Sequence, residues 1–329
     1  MDLYSIKRTS KIFEIIDQTC LPHHEVYTLI YNYREMIEAI KNLRIRGAPA
    51  LGIAAVAGCY LASELYKERP DYEKKMMQAV FEIENSRPTA VNLFYATRKV
   101  REILKTDSLQ WNRKLDSLVD ELMYDELRAC EMIAQYGYEF IPPQICSFLT
   151  HCNTGSLATY GSGTALGVLK KIATQREIEV YVDETRPLLQ GSRLTMWELM
   201  KEKIPCTLIT DNMAARTIQT KDIQAIITGA DRIARNGDTA NKIGTYNLAI
   251  LAKYFHIPFY VVAPESTFDN SIKTGKEMII EIREADEILQ VRGARIAPET
   301  AKVFNPAFDI TPKELITAII TDKGIRNID

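Results

Sequence analysis

The chain has 329 residues, 46% apolar and 26% charged, with 41 Lys and Arg against 43 Asp and Glu for a formal net charge of −2. This is the balance of a globular protein, and at roughly 150 residues per domain the length predicts two domains with room for real cores. Near-neutral charge without Lys/Arg blocks argues against a nucleic-acid partner, and the longest apolar stretch, 51–62, is diluted by Gly and Ala and falls short of the roughly 20 residues of a membrane span.

The N-terminal MDLYSIKRTS holds no apolar signal core, which predicts a cytoplasmic protein. Residues 25–31 (EVYTLIY) read as a strand of a small sheet. From Arg34 the spacing of Met36, Ile40 and Leu43 turns helical. An Ala-rich helix is predicted over 51–66, two more over 71–85 and 89–104, and a long amphipathic one over 115–137, with Leu115, Leu118, Leu122 and Ile133 near one face. The segment YGYEFIPP (136–143) marks a boundary, because two prolines stop a helix. The expected domains are therefore 1–140, mainly helical with a short antiparallel sheet, and 141–329.

Beyond the boundary, strands are predicted at 145–151, 178–183, 205–210, 224–228, 258–263 and 287–290. Helices fit between them at 164–174, 192–202, 212–220 and 245–255. Short β-branched runs alternating with helices predict an α/β fold with a Rossmann-like, mostly parallel sheet covered on both faces. Strand order is not legible from one sequence.

In such a sheet, ligands bind beyond the carboxyl ends of the strands. Polar segments fall at those ends: His151-Cys152-Asn153, Asp183-Glu184-Thr185, Thr210-Asp211-Asn212 and Gly229-Ala230-Asp231. Cys152 is either a partly exposed reactive thiol or an inert buried one. Asp231 ends an apolar strand, where burial suits a carboxyl to proton donation; the alternative is a helix cap or a pair with Arg232. Asn241-Lys242 precedes a helix whose N–H groups and positive end favour an anion, or else Lys242 is simply solvated. Arg46-Gly47-Ala48 and Arg87 sit just before two helices and offer forked donors to a phosphate, or serve as surface residues.

Gly161, Gly163 and Gly167 suggest a dinucleotide loop, but the GxGxxxG spacing lies outside the strand-to-helix turn that a Rossmann fingerprint requires. Small residues that let the loop pack closely are the plainer reading. The six Cys form no CxxC pair, and His23/His24, His151 and His256 lack metal-ligand spacing, so neither a disulfide framework nor a metal is expected.

Several segments together resemble the 5-methylthioribose-1-phosphate isomerase family, in the superfamily shared with regulatory subunits of a translation-initiation nucleotide-exchange factor. They are IRGAPALGIAA (45–55), RPTAVNLFYA (87–96), LTHCNTGSLATYGSGTALGV (149–168), VYVDETRPLLQGSRLTMWEL (180–199), TLITDNMA (207–214), ITGADRIARNGDTANKIGTYNLAILAK (227–253) and VFNPAFDITPKELITAIIT (303–321). The resemblance implies catalytic roles for Cys152 and Asp231. It implies substrate binding by Arg46, Gly47, Ala48, Arg87, Gln190, Asn241 and Lys242. It further implies a sugar-phosphate substrate of methionine salvage, no cofactor, a helical N-terminal domain before a Rossmann-like one, and a homodimer.

Two segments depart from the family's pattern. Leu188 stands where an Arg is usual, and the glycine loop reads TYGSGTALG instead of TAGYGTALG. Both bear on the substrate's 5-substituent, so a 5-deoxyribose-1-phosphate isomerase is the nearest alternative. A ribose-1,5-bisphosphate isomerase would need a second basic cluster. A noncatalytic subunit that binds a sugar phosphate or nucleotide is the alternative from another class.

Overall fold

A computed structural model describes residues 3–87 and 91–326. The chain divides into two compact units, Met1–Glu131 with Gly155–Gly163, and Met132–Thr154 with Thr164–Asp329.

The first unit opens with an antiparallel sheet of β1 (Ile6–Thr9), β2 (Ile12–Ile16) and β3 (Tyr27–Ile30). Helices α1 (Tyr33–Lys41), α2 (Ala48–Tyr66), α3 (Tyr72–Glu84) and α4 (Val91–Ile103) follow, then α5 (Trp111–Phe140), which belongs to this unit only as far as Glu131. The helix expected at 89–104 is present from Val91; residues 88–90 lie outside the described residues. Asn32 starts α1 by accepting from the amides of Arg34 and Glu35, satisfying two donors that the first turn leaves open. Helix α5 stops at Phe140, just before Pro142 and Pro143.

Helix α2 is longer than the apolar run suggested, because Ala48, Pro49 and Ala50 join its first turn. By length and composition it could cross a membrane, yet 78% of it is buried. It packs against α1, α3 and α4 and forms the centre of the unit's core. A helix apolar on every side is what such a position requires.

The second unit begins with β4 (Ser147–Thr150), α6 (Ala165–Ala173), β5 (Glu179–Asp183), α7 (Met196–Lys201), β6 (Cys206–Ile209) and α8 (Ala214–Thr220). It continues with β7 (Ala225–Thr228), β8 (Arg232–Ala234), β9 (Thr239–Lys242), α9 (Thr245–Phe255), β10 (Phe259–Val262) and β11 (Phe268–Asp269). Last come α10 (Asp286–Leu289), β12 (Gln290–Val291), β13 (Ala294–Arg295), β14 (Phe308–Thr311), β15 (Ala318–Thr321) and β16 (Gly324–Arg326).

The main sheet runs β16-β15-β10-β7-β4-β5-β6, parallel except for the edge strand β16. Counted along the chain, its six parallel strands stand in the order 3-2-1-4-5-6, that of a doubly wound Rossmann sheet. Alternate side chains feed two cores. Phe148, Val182, Ile227 and Val262 face α6 and α7, while Leu149, Tyr181, Ile226 and Val261 face α8 and α9. Strands buried on both faces explain the unbroken apolar runs in the sequence.

The strand expected at 287–290 is a correction. Residues 286–289 form the turn α10, whose Glu287 and Ile288 carbonyls accept from the Arg186 guanidinium at 3.5 and 3.0 Å. The sixth parallel strand is β15, which the strand reading had passed over.

Candidate active site

Strand order brings together the candidate residues of the second unit. Strands β4 and β7 are neighbours from which the chain winds off in opposite directions, so their carboxyl ends flank the switch point where such sheets bind ligands. Cys152 follows β4 and Asp231 follows β7. The two loops touch: a Cβ on Gly229 would lie 2.6 Å from the Thr154 methyl.

The Cys152 backbone is held in the left-handed region at φ 61°, which costs a non-glycine residue roughly 1–2 kcal/mol. Its neighbours hold it there. Its amide donates to Thr185 Oγ1 at 2.9 Å, and its carbonyl accepts from Thr195 Oγ1 at 2.6 Å. Thr185 Oγ1 in turn donates to the Asp183 carbonyl, and the amides of Thr185 and Arg186 donate to the Asp211 carboxylate at 2.7 Å each. Asn153 Nδ2 donates to buried Glu198, which also pairs with Lys170 at 3.0 Å. The ends of β4, β5 and β6 are thus laced together beneath the cysteine. With 8% exposure, Cys152 is more buried than the partly exposed thiol considered from sequence. Elsewhere, burial pushes the thiols of Cys59, Cys130 and Cys206 upward, away from thiolate chemistry.

Asp231 is joined to the anion-site candidates by a second sheet, β11-β8-β9-β14. Its amide donates to the Ala240 carbonyl at 2.9 Å, one step beyond the Arg232–Ala240 pair, so Asp231 stands across from Asn241. The neighbouring Arg232 guanidinium is taken by Asp269, with Nε 2.9 Å from Oδ2. Asn241 is buried and donates to Thr245 Oγ1 at 2.9 Å. Lys242 is buried rather than solvated: Nζ donates to the Ala307 carbonyl at 2.9 Å and lies 4.5 Å from the Phe308 ring centroid. The start of α9 differs from the expected anion cradle. Asp309 already accepts from the amides of Gly244 and Tyr246 at 2.7 and 3.0 Å.

Gln190 precedes the π-helical turn Gly191–Thr195, an arrangement frequent at functional sites. Gly191 is obligatory, since a Cβ there would fall 1.7 Å from the Asp183 carbonyl oxygen. Gln190 Oε1, Asp183 Oδ1 and Thr228 Oγ1 are buried without a protein partner. All three lie at the ends of β5 and β7 or in the loop after β5. Buried polar atoms are nearly always satisfied, so these three call for a water or a polar ligand as partner.

The remaining site candidates belong to the first unit. Arg46 Nε donates to Gln18 Oε1 at 3.1 Å, and Gln18 Nε2 donates to the Leu157 carbonyl at 2.7 Å. Gly47 has φ 97°, and a Cβ on it would overlap the Ala158 carbonyl at 2.3 Å, so only glycine fits against this segment. Ala48 begins α2, and Arg87 lies in the bend after α3. Gly161 packs against Cys130, where a Cβ would approach to 2.9 Å, which favours the close-packing reading of the glycine loop.

The sequence pointed to the strand-end segments but assigned no task to His151, Thr185, Thr195 or Asp211, and offered Asp183 only as the ribose-binding acid of a dinucleotide loop. Their common signal is a polar residue at or just past the end of an apolar strand, or in the segment that returns to it. Ring nitrogen and carboxylate oxygens of His151, Asp183 and Asp211 lie within 4.8 Å of one another. His151 is hydrogen-bonded to Asp183 and the Ile243 carbonyl and Asp211 to two amides, while Asp183 Oδ1 keeps no protein partner.

Residues 44–327 match the initiation factor 2 subunit family. A methylthioribose-1-phosphate isomerase of Heliobacterium modesticaldum is 48% identical over 94% of this chain and 92% of its own. The crystal structure of 5-methylthioribose 1-phosphate isomerase from Pyrococcus horikoshii superposes with a TM-score of 0.90 at 39% identity, covering 98% of this chain and 92% of that one. The structure of translation initiation factor eIF-2B, subunit delta, from A. fulgidus superposes at 0.87 with 40% identity, over 99% and 96% of the two chains. With relatives this similar over nearly its whole length, the chain belongs to the initiation factor 2 subunit family and, within it, to the methylthioribose-1-phosphate isomerases.

Proposed function

We propose that this chain isomerises 5-methylthioribose 1-phosphate to 5-methylthioribulose 1-phosphate, an aldose–ketose conversion of methionine salvage. What supports the reading is that Cys152 and Asp231 follow the neighbouring strands β4 and β7, in a chain alike throughout to methylthioribose-1-phosphate isomerases.

Phosphate on the anomeric oxygen prevents ordinary hemiacetal opening. Asp231 donates a proton to the ring oxygen, and the bond from C1 to that oxygen breaks while phosphate stays on C1. The hydrogen on C2 then moves to C1, and the C2 hydroxyl returns its proton to the Asp231 carboxylate, leaving a ketone. Either Cys152 carries that hydrogen as a proton, or it helps shape a dry site for a hydride shift. C1 is reduced as C2 is oxidised, so the reaction balances without an external oxidant or cofactor. Arg46, Gly47, Ala48, Arg87, Gln190, Asn241 and Lys242 are assigned to substrate binding, with the cations serving the phosphate. We also propose a homodimer and a cytoplasmic location.

The likeness to the eIF-2B delta structure keeps a second reading, a noncatalytic subunit that binds a sugar phosphate or nucleotide. Cys152 and Asp231 in intact flanking motifs support the enzyme instead. Turnover by purified protein on 5-methylthioribose 1-phosphate and 5-deoxyribose 1-phosphate tests the reading and its nearest alternative together. Preference for the deoxy sugar would reassign the substrate, and no turnover of either would favour the subunit. In deuterated water, substantial deuterium at C1 would exclude a purely intramolecular hydride shift.

A further inference from the structure

His151 directly precedes Cys152, and the reaction as derived leaves it without a task. Its ring is 1% exposed. Nδ1 lies 3.0 Å from Asp183 Oδ2, and Nε2 lies 2.9 Å from the Ile243 carbonyl oxygen. A carbonyl oxygen only accepts, so Nε2 carries a proton and donates it. Burial opposes a charged ring. The hydrogen bond to Asp183 and the charges of Asp183 and Asp211 outweigh that opposition, and the His151 pKa lies above its ordinary value.

The ring also supports the turn that follows Asn241 and Lys242. Gly244 has φ 104°, and a Cβ on it would come within 3.0 Å of His151 Cε1. The amides of this turn are fastened towards β14, Ile243 to the Ala307 carbonyl and Gly244 to Asp309. The His151 bond runs the other way, to the end of β4 beside Cys152.

We propose that His151 is a positioning residue for substrate binding: its ring ties the Ile243–Gly244 turn to β4 and so sets the Asn241–Lys242 pair relative to Cys152. The kinetic consequence rests on the isomerase reading; the placement of the turn does not.

Two variants separate the ring's contacts. His151→Gln keeps a donor near the Nε2 position and can still reach Ile243. His151→Asn keeps one near Nδ1, facing Asp183, and falls short of Ile243. We expect His151→Asn to raise KM at least about tenfold with kcat changed less than about threefold, and to speed amide exchange over 243–246 about tenfold. His151→Gln recovers both quantities to within about fivefold of the unaltered protein. Equal KM and exchange in the two variants, or unaltered values in His151→Asn, would overturn the proposal. If His151→Asn does not fold, Gly244→Ala perturbs the same contact from the other side and is expected to raise KM about tenfold; an unchanged KM counts equally against it. Should the unaltered protein fail to turn over the substrate, the isomerase reading fails, and the exchange measurement by itself decides the positioning.

Discussion

Cys152 sits at φ 61° with its amide and carbonyl both bound by threonine hydroxyls, so the backbone that carries the thiol is fixed. Cys152→Ala and Asp231→Asn should each lower kcat by about 10²–10⁴, the usual worth of a general acid or base, with the fold retained. Steady-state kinetics beside a circular-dichroism melt checks this, and full activity in both variants would remove the catalytic assignment. Gly191→Ala should instead cost the fold, because its Cβ would meet the Asp183 carbonyl at 1.7 Å. A destabilisation of about 3 kcal/mol or more in urea is the expected scale, that of a severe backbone conflict. Residue chemistry was readable ahead of residue environment. Cys152 and Asp231 stood out by type and place, but nothing local announced that Lys242 would be buried against Ala307 and Phe308.

Among the elements, α9 shows how one carboxylate replaces an anion. Asp309 on β14 accepts from Gly244 and Tyr246 at the start of the helix, and satisfies donors that the sequence had offered to a phosphate. Asp309→Ala should lower stability by about 0.5–2 kcal/mol, as loss of a cap does, measured by urea unfolding at neutral pH. Asp309→Asn, which keeps an acceptor, should lose less. The helices were legible because their periodicity is local. The turn at Asp286–Leu289 was not: four residues carry no decisive period, and their carbonyls are satisfied by Arg186, a long-range partner. Likewise β15 (AIIT) resembles many short apolar runs until it pairs with β10.

For the whole molecule, the titrating groups couple stability to pH. Asp17 is buried and Asp238 and Asp269 are partly buried, which raises a carboxyl, but hydrogen bonds and ion pairs to Thr19 and Arg44, to Asn236 and Lys313, and to Ser271 and Arg232 outweigh this and hold all three below the ordinary value. A depressed folded value means that the unfolded chain takes up protons first. Their stabilisation is therefore complete above 3.8, the ordinary value, and is lost as pH falls through the folded values. His151 works in the opposite sense. Its raised folded value stabilises fully below 6.5 and is lost as pH rises through it. The raised carboxyls of Asp183, Glu184 and Asp309 oppose Asp17, Asp238 and Asp269 on the acid side, so the test is alkaline. Urea unfolding should show stability falling as pH rises above 6.5, less so in His151→Gln, and an unchanged alkaline flank would contradict the assignment. By itself the sequence determined the alternation of strands and helices, the polar strand ends and the chemical types of the candidate catalytic pair, because periodicity and residue type are local properties. Only the tertiary structure decided that β4 lies beside β7, bringing the Cys152 and Asp231 loops into contact, and that β14 caps α9. Strand order and caps depend on pairings between residues far apart in the chain, and no short window of sequence contains them.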